Sequence, residues 1–225
     1  MSNGWWSNLF FKQKDLKYYD KYGDVLKKTP TTKEQREEAI EALSDLPPEF
    51  AIPQLLKRFE IVVDHGLLDI KEKEKCLKII VGFGEKAKSF IVDSLKSKKR
   101  ISWQIKIAEK IFSPEDYLTL LIENMSLNMA EFDEAALERN IEILLALKEI
   151  KNIKIIPLAS SYFKCRDEGV RMAALECMEE QVDVDEQQVK DILLNLAKQE
   201  KYSDDNSRFL GLLDVIIARH GWGSV

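Results

Sequence analysis

Residues 36–59, REEAIEALSDLPPEFAIPQLLKRF, decide the fold. Ala39, Ile40, Leu43 and Leu46 recur at helical spacing, and so do Ile52, Leu55, Leu56 and Phe59. Pro47-Pro48 between the two runs cannot continue a helix, because each ring removes an amide donor and restricts the residue before it. The stretch predicts two short amphipathic helices joined by a tight turn. One such pair buries little alone, whereas stacked copies bury a continuous core.

The same pattern returns along the chain. Thr31-Thr32-Lys33-Glu34 has the form of a capping box, which opens the first pair; Asp64-His65-Gly66 closes it. A second pair carries Cys76, Leu77, Ile80 and Val81, turns at Gly82–Gly84, and continues through Ala87, Ile91 and Leu95. A third has Ile101, Ile105, Ala108 and Phe112, then a second helix opened by Ser113-Pro114-Glu115-Asp116, with proline at the first helical position and acids in the first turn. A fourth takes Leu137, Ile141, Leu144 and Leu147, then Ile155, Ile156 and Ala159. A fifth takes Val170, Ala173, Ala174 and Cys177, then Val189, Ile192 and Leu193, with Asp185 as N-cap. A last helix carries Phe209, Leu213, Ile216 and Ile217, and Gly221-Trp222-Gly223 ends the order. First-helix anchors near Ala39, Leu77, Ile105, Ile141, Ala173 and Leu210 lie 38, 28, 36, 32 and 37 residues apart, around the period of helical-hairpin repeats. No alternating β-branched run with hairpin turns is present, so the expected class is all-α.

Residues 36–59 resemble a HEAT repeat, down to the second-helix segment IPQLLKRF with its proline and paired leucines. Ile156-Pro157-Leu158 echoes Ile52-Pro53-Gln54, and Val170-Arg171-Met172-Ala173-Ala174-Leu175 is similar to the first helix of bacterial HEAT repeats, including the phycobilisome-lyase-like group. The middle pairs depart from that pattern, lacking the Asp–Val–Arg turn signature at 70–77 and 101–105. The resemblance covers roughly residues 31–220. It implies a right-handed α-α superhelix, a HEAT-like solenoid of about five helical hairpins over 31–221. It also implies a binding scaffold with no conserved active site.

Residues 1–30 form a segment of their own. Trp5, Trp6, Leu9 and Phe10 lie on one helical face with Phe11 beside them, and six Lys oppose three Asp in a chain whose net charge is −5. An aromatic cluster with a basic flank is expected either to cap the repeat stack or dock a partner, or to make peripheral membrane contact through residues 1–14.

The 225 residues include three cysteines, Cys76, Cys165 and Cys177, with no CxxC spacing. Small buried thiols in a reducing compartment, and a cytoplasmic location, are expected. No run approaches the length of a membrane span, and the N-terminus lacks the pattern of a secretory signal. His65 and His220 have no partner at metal-ligand spacing, and Gly82-Phe83-Gly84 lacks the third glycine and the strand of a phosphate loop. No cofactor, metal or catalytic motif is expected, and the chain reads as non-enzymatic.

Charge is segregated. From Glu85 to Lys110 eight basic residues stand against three acidic, with Trp103 inside the cluster. Residues 115–149 carry nine acidic against two basic, and 176–191 seven against one. Such runs are ordinary solvated faces unless a partner uses them. The sharper expectation is a polar groove in which the basic turn Lys96, Lys98, Lys99 and Arg100, with Trp103 inside the cluster, meets an acidic segment of a protein or peptide partner, or phosphate. Trp5, Trp6, Phe10 and Phe11 are the other partner-binding candidates. Trp103, Trp222 and Asp116 also allow the alternative of a HEAT-like DNA glycosylase, an enzyme type that holds duplex DNA in a basic groove. The net negative charge opposes nucleic-acid binding.

Overall fold

The structure is a computed structural model and describes residues 19–28, 30–63, 66–98, 100–125, 133–200 and 208–223. Every regular element among them is helical, and no strand occurs among the described residues. The chain divides into two compact units, Met1–Ser97 with Ser102–Pro114, and Lys98–Ile101 with Glu115–Val225.

The first unit holds α1 (19–27), α2 (Lys33–Ser44), α3 (Pro48–Leu56), α4 (Gly66–Gly82), α5 (Lys88–Ser97) and α6 (Ser102–Ile111). The capping box is present, one residue later than the spacing predicts. Thr32 Oγ1 accepts from the Gln35 amide at 3.3 Å, and Gln35 Oε1 accepts from the Thr32 amide at 2.9 Å. The Thr31 hydroxyl donates instead to the Lys28 carbonyl at 2.8 Å, closing the end of α1. Pro47-Pro48 makes the predicted turn, and α3 tightens into a 3-10 turn, Lys57–Glu60. Gly66, expected to close the first pair, is the first residue of α4. The reason is polar: Asp69, Glu72 and Lys73 lie in phase with Cys76, Leu77 and Ile80, so the buried stripe begins two turns before its first apolar member. Asp64 and His65 fall outside the described residues. Between α4 and α5 the chain turns at Gly84, whose φ of 55° favours glycine.

The second unit holds α7 (Pro114–Glu123) from its second residue on, with α8 (Glu134–Lys148), α9 (Ile155–Ser161), α10 (Glu168–Glu179), α11 (Glu186–Glu200) and α12 (Arg208–Arg219). Three starts follow one rule: the carboxylates of Asp133, Asp167 and Asp185 accept from the amides of Ala136, Val170 and Gln188 at 2.9, 2.9 and 3.0 Å. Helix α12 ends with Gly221 at φ 65°, which lets the Trp222 amide donate back to the Ile217 carbonyl at 3.1 Å. This reversal returns the Trp222 side chain to the body, where it is almost buried.

Packing follows the same plan in both units. In the first, α2 lies on α4 and α4 on α6; in the second, α8 lies on α10, α10 on α12, and α9 on α11. Helix α1 runs along α3, with Tyr19 against Phe50 and Lys27 paired to Glu60 at 3.1 Å. Ile40, Leu43, Ile52, Leu55, Ile80 and Ile91 are fully enclosed in the first unit; Ile143, Leu144, Ile156, Val170 and Leu193 are fully enclosed in the second. Each such side chain contributes about 1.5–3 kcal/mol on leaving water. Two expected anchors, Ile141 and Leu210, are only half-buried. The neighbouring stripes Ile143–Leu144–Leu147 and Phe209–Leu213–Ile216 take the inward face.

Candidate interaction surface and a buried ion-pair network

The strongest polar feature of the first unit lies inside it. Arg36, Arg58, Asp69, Glu72 and Lys73 are all buried and form one connected network. Arg36 clasps Glu72 with two donors, Nε to Oε2 at 2.8 Å and Nη2 to Oε1 at 3.0 Å, and its Nη1 donates to the Thr31 carbonyl at 2.6 Å. Arg58 reaches Glu72 Oε2 at 2.9 Å from Nε and Asp69 Oδ1 at 2.7 Å from Nη2. Lys73 Nζ completes the network on Asp69 Oδ2 at 2.7 Å. Burial alone would raise the Asp69 carboxyl, but hydrogen bonds from Lys73, Arg58 and the Val63 amide outweigh it and hold its pKa below the ordinary aspartate value. The planar forks of the arginines suit this geometry, since each bonds two acceptors at fixed angles. Sequence reasoning passed over these residues. The signal was present, because Arg36 lies in phase with Ala39, Ile40 and Leu43, as Asp69, Glu72 and Lys73 do with the apolar stripe of α4.

The expected basic turn is divided between the two units, with Lys96 in the first and Lys98 and Arg100 in the second. Lys96 and Arg100 are exposed and Lys98 is half-buried; Lys99 lies outside the described residues. Within the second unit this segment is tied to α8: the Ile101 amide donates to Glu142 Oε2 at 2.6 Å, and Arg139 Nη1 donates to the Lys98 carbonyl at 3.4 Å. Trp103, in the first unit, is half-buried and stacks on Phe59, with ring centres 5.5 Å apart and planes 11° from parallel. Lys106 Nζ sits 4.7 Å from the Trp103 ring centre. Trp5, Trp6, Phe10 and Phe11 lie outside the described residues.

In the second unit, side chains at the ends of α10 and α11 hold the segments beside them. Gln181, fully buried, accepts from the Asn152 amide at 3.1 Å and donates to the Ile150 carbonyl at 2.9 Å, which fixes the turn between α8 and α9. Glu179 Oε1 receives Arg219 at 2.7 Å and lies 3.3 Å from His220 Nε2. His220 stacks on Trp222, whose Nε1 donates to Glu186 at 3.0 Å. Trp222, one of the aromatics considered for DNA binding, is therefore occupied within its own unit, and His220 stands at a helix end.

Cys76 and Cys177 are buried and Cys165 is half-buried; none is in a disulfide. Cys165 departs from the expectation of three buried thiols, because it falls in the turn after α9 rather than on a helix face. Burial pushes the Cys76 and Cys177 thiols up to about 12, far from the range of a reactive thiolate. Burial likewise raises the Tyr162 phenol to about 12. Among the described residues no group of three or more His, Cys, Asp or Glu side chains is arranged to hold a metal ion. Among the same residues no helix is long and apolar enough to cross a membrane. No family model, curated protein or solved structure matches this chain.

Proposed function

We propose that the chain is a HEAT-like helical-repeat adaptor that binds another protein and carries no catalytic chemistry of its own. In this reading residues 31–221 form a right-handed α-α superhelix of about five hairpins, with residues 1–30 as a capping or docking segment. The observation that carries it is the spacing of the polar links. Arg36 meets Glu72 36 residues on, Lys148 meets Glu176 28 on, Asn152 meets Gln181 29 on, Glu168 meets Arg208 40 on, and Glu186 meets Trp222 36 on. Each link joins a helix or turn to its counterpart one hairpin later, which is the nearest-neighbour arrangement of repeat stacks. Three unlinked thiols accord with a reducing, cytoplasmic setting.

The adaptor reading separates from a nucleic-acid enzyme by binding class. The full chain at pH 7 and low salt is expected to pass through a heparin column and to leave duplex DNA unshifted. Salt-sensitive DNA retention, with base excision on damaged duplex, would overturn it.

A further inference from the structure

Arg58 and Phe59 are consecutive residues of one 3-10 turn, and each reaches a different helix. Arg58 binds Asp69 and Glu72 in the first half of α4, whereas Phe59 stacks on Trp103 in the first turn of α6. The beginnings of α4 and α6 therefore converge on this turn. Around it the first unit leaves apolar side chains in water: Val62 is 64% exposed, Leu67 79% and Ile70 47%. Leu67, Ile70, Lys71 and Glu74 share one face of α4, and Trp103, Lys106 and Lys110 share one face of α6. Scattered apolar residues on a surface are ordinary, but three within nine positions, next to the turn whose Phe59 stacks on Trp103, are a candidate interaction site.

The display is held in place. The Ile61 carbonyl accepts from Arg58 Nη1 at 3.3 Å and the Val63 amide donates to Asp69 Oδ1 at 3.2 Å, so the segment is anchored on both sides of Val62. Trp103 is likewise fixed from beneath by Phe59. Side chains held this way lose little freedom when a partner covers them.

Charge says what covers them. Lys71, Lys106 and Lys110 are exposed and have no carboxylate within ion-pair distance among the described residues. We infer that this face docks an acidic amphipathic segment of a partner protein. Its apolar side chains cover Val62, Leu67, Ile70 and Trp103, and its carboxylates meet Lys71, Lys106 and Lys110. The inference rests on the adaptor reading and names the surface it uses.

The test uses the full chain and a dye-labelled helical peptide about four turns long, with Leu along one face and Glu elsewhere. A sister peptide carries Lys for Glu, and phosphatidylserine vesicles supply the membrane arm. The Glu peptide is expected to bind, and the Lys peptide and the vesicles are not. Leu67→Ser with Ile70→Ser, and separately Lys106→Glu with Lys110→Glu, should each weaken binding about tenfold or more. These side chains are exposed, so circular dichroism should not change. Equal binding of both peptides, vesicle binding lost in the same variants, or no binding of the Glu peptide would overturn the inference. If the Glu peptide binds both variants as it binds the parent chain, this face is wrong while the adaptor reading stands.

Discussion

Arg58 Nη2 lies 2.7 Å from Asp69 Oδ1, and both side chains are almost wholly excluded from water. The pair closes a structural gap. Residues 61–63 follow the 3-10 turn, Ile61 in an extended conformation, and have no helix or sheet to satisfy their backbone. Arg58 takes the Ile61 carbonyl and Asp69 takes the Val63 amide, so one buried ion pair serves the segment at both ends. Taking such charges out of water costs several kcal/mol per ion, which is offset only when every member is hydrogen-bonded, as here.

Removing one member leaves the others buried and unpaired. Arg58→Ala is expected to lower the unfolding free energy by about 3–5 kcal/mol in urea titration. Arg58→Lys should recover little, since an ammonium cannot bond Asp69, Glu72 and the Ile61 carbonyl from one plane. A loss under about 1 kcal/mol for Arg58→Ala would mean the network does not hold the fold together.

Acid should expose the same network. The folded-state pKa of Asp69 is held below its unfolded value, so its contribution is complete above about pH 4 and fades as pH falls through the folded pKa. Urea midpoints measured downward from about pH 5 should therefore fall for the parent chain. They should fall less steeply for Asp69→Asn, which starts from a lower stability at neutral pH. Parallel curves for the two chains would contradict this.

Two glycines should respond in opposite directions to alanine. At Gly23 an added Cβ would lie 1.9 Å from Gln54 Oε1 and 2.9 Å from Lys57 Cδ. Gln54 is buried and donates to Asp20 at 2.9 Å, so making room breaks the link that seats α1 on α3. Gly23→Ala is expected to cost about 1–3 kcal/mol. At Gly211, inside α12, nothing lies within 4 Å of an added Cβ. Gly211→Ala should stabilise by about 0.5–1 kcal/mol through helix propensity. Thermal unfolding of both variants checks the pair.

Thiol accessibility should divide the cysteines. Cys76 and Cys177 are fully enclosed, with thiols pushed up to about 12, and Cys165 is half-exposed in a turn. Iodoacetamide on the native chain, read by peptide mass spectrometry, should label Cys165 first. Labelling of the other two should wait for denaturant. Equal labelling of all three in the native state would place the enclosed thiols wrongly.

Helix existence was legible in the sequence wherever apolar residues kept a 3.6-residue period and punctuation was chemical. Pro47-Pro48, Pro114 and the Asp185 cap all stand where the spacing places them. What escaped was buried polarity. A charged residue is read as solvent-facing by default, so Asp69, Glu72 and Lys73 conceal the first turns of α4, and the apolar period alone predicts a start beyond Gly66. Long-range partners escaped for a different reason. Nothing local announces that Glu179 takes Arg219 and His220 some 40 residues away, or that Gln181 holds the turn at Asn152. Trp103 stood out in sequence for the basic residues around it. Its stacking on Phe59, and the exposed Val62, Leu67 and Ile70 near that turn, became visible only once the chain was folded.

The measurement that bears most directly on the adaptor reading is affinity isolation of the tagged full chain from its own cells, with and without nuclease, quantified by mass spectrometry. The account predicts one or a few proteins at near-equal molar ratio, unchanged by nuclease and lost from the variant carrying Leu67→Ser, Ile70→Ser, Lys106→Glu and Lys110→Glu. Loss of every partner on nuclease treatment, or recovery of the chain alone, would contradict it.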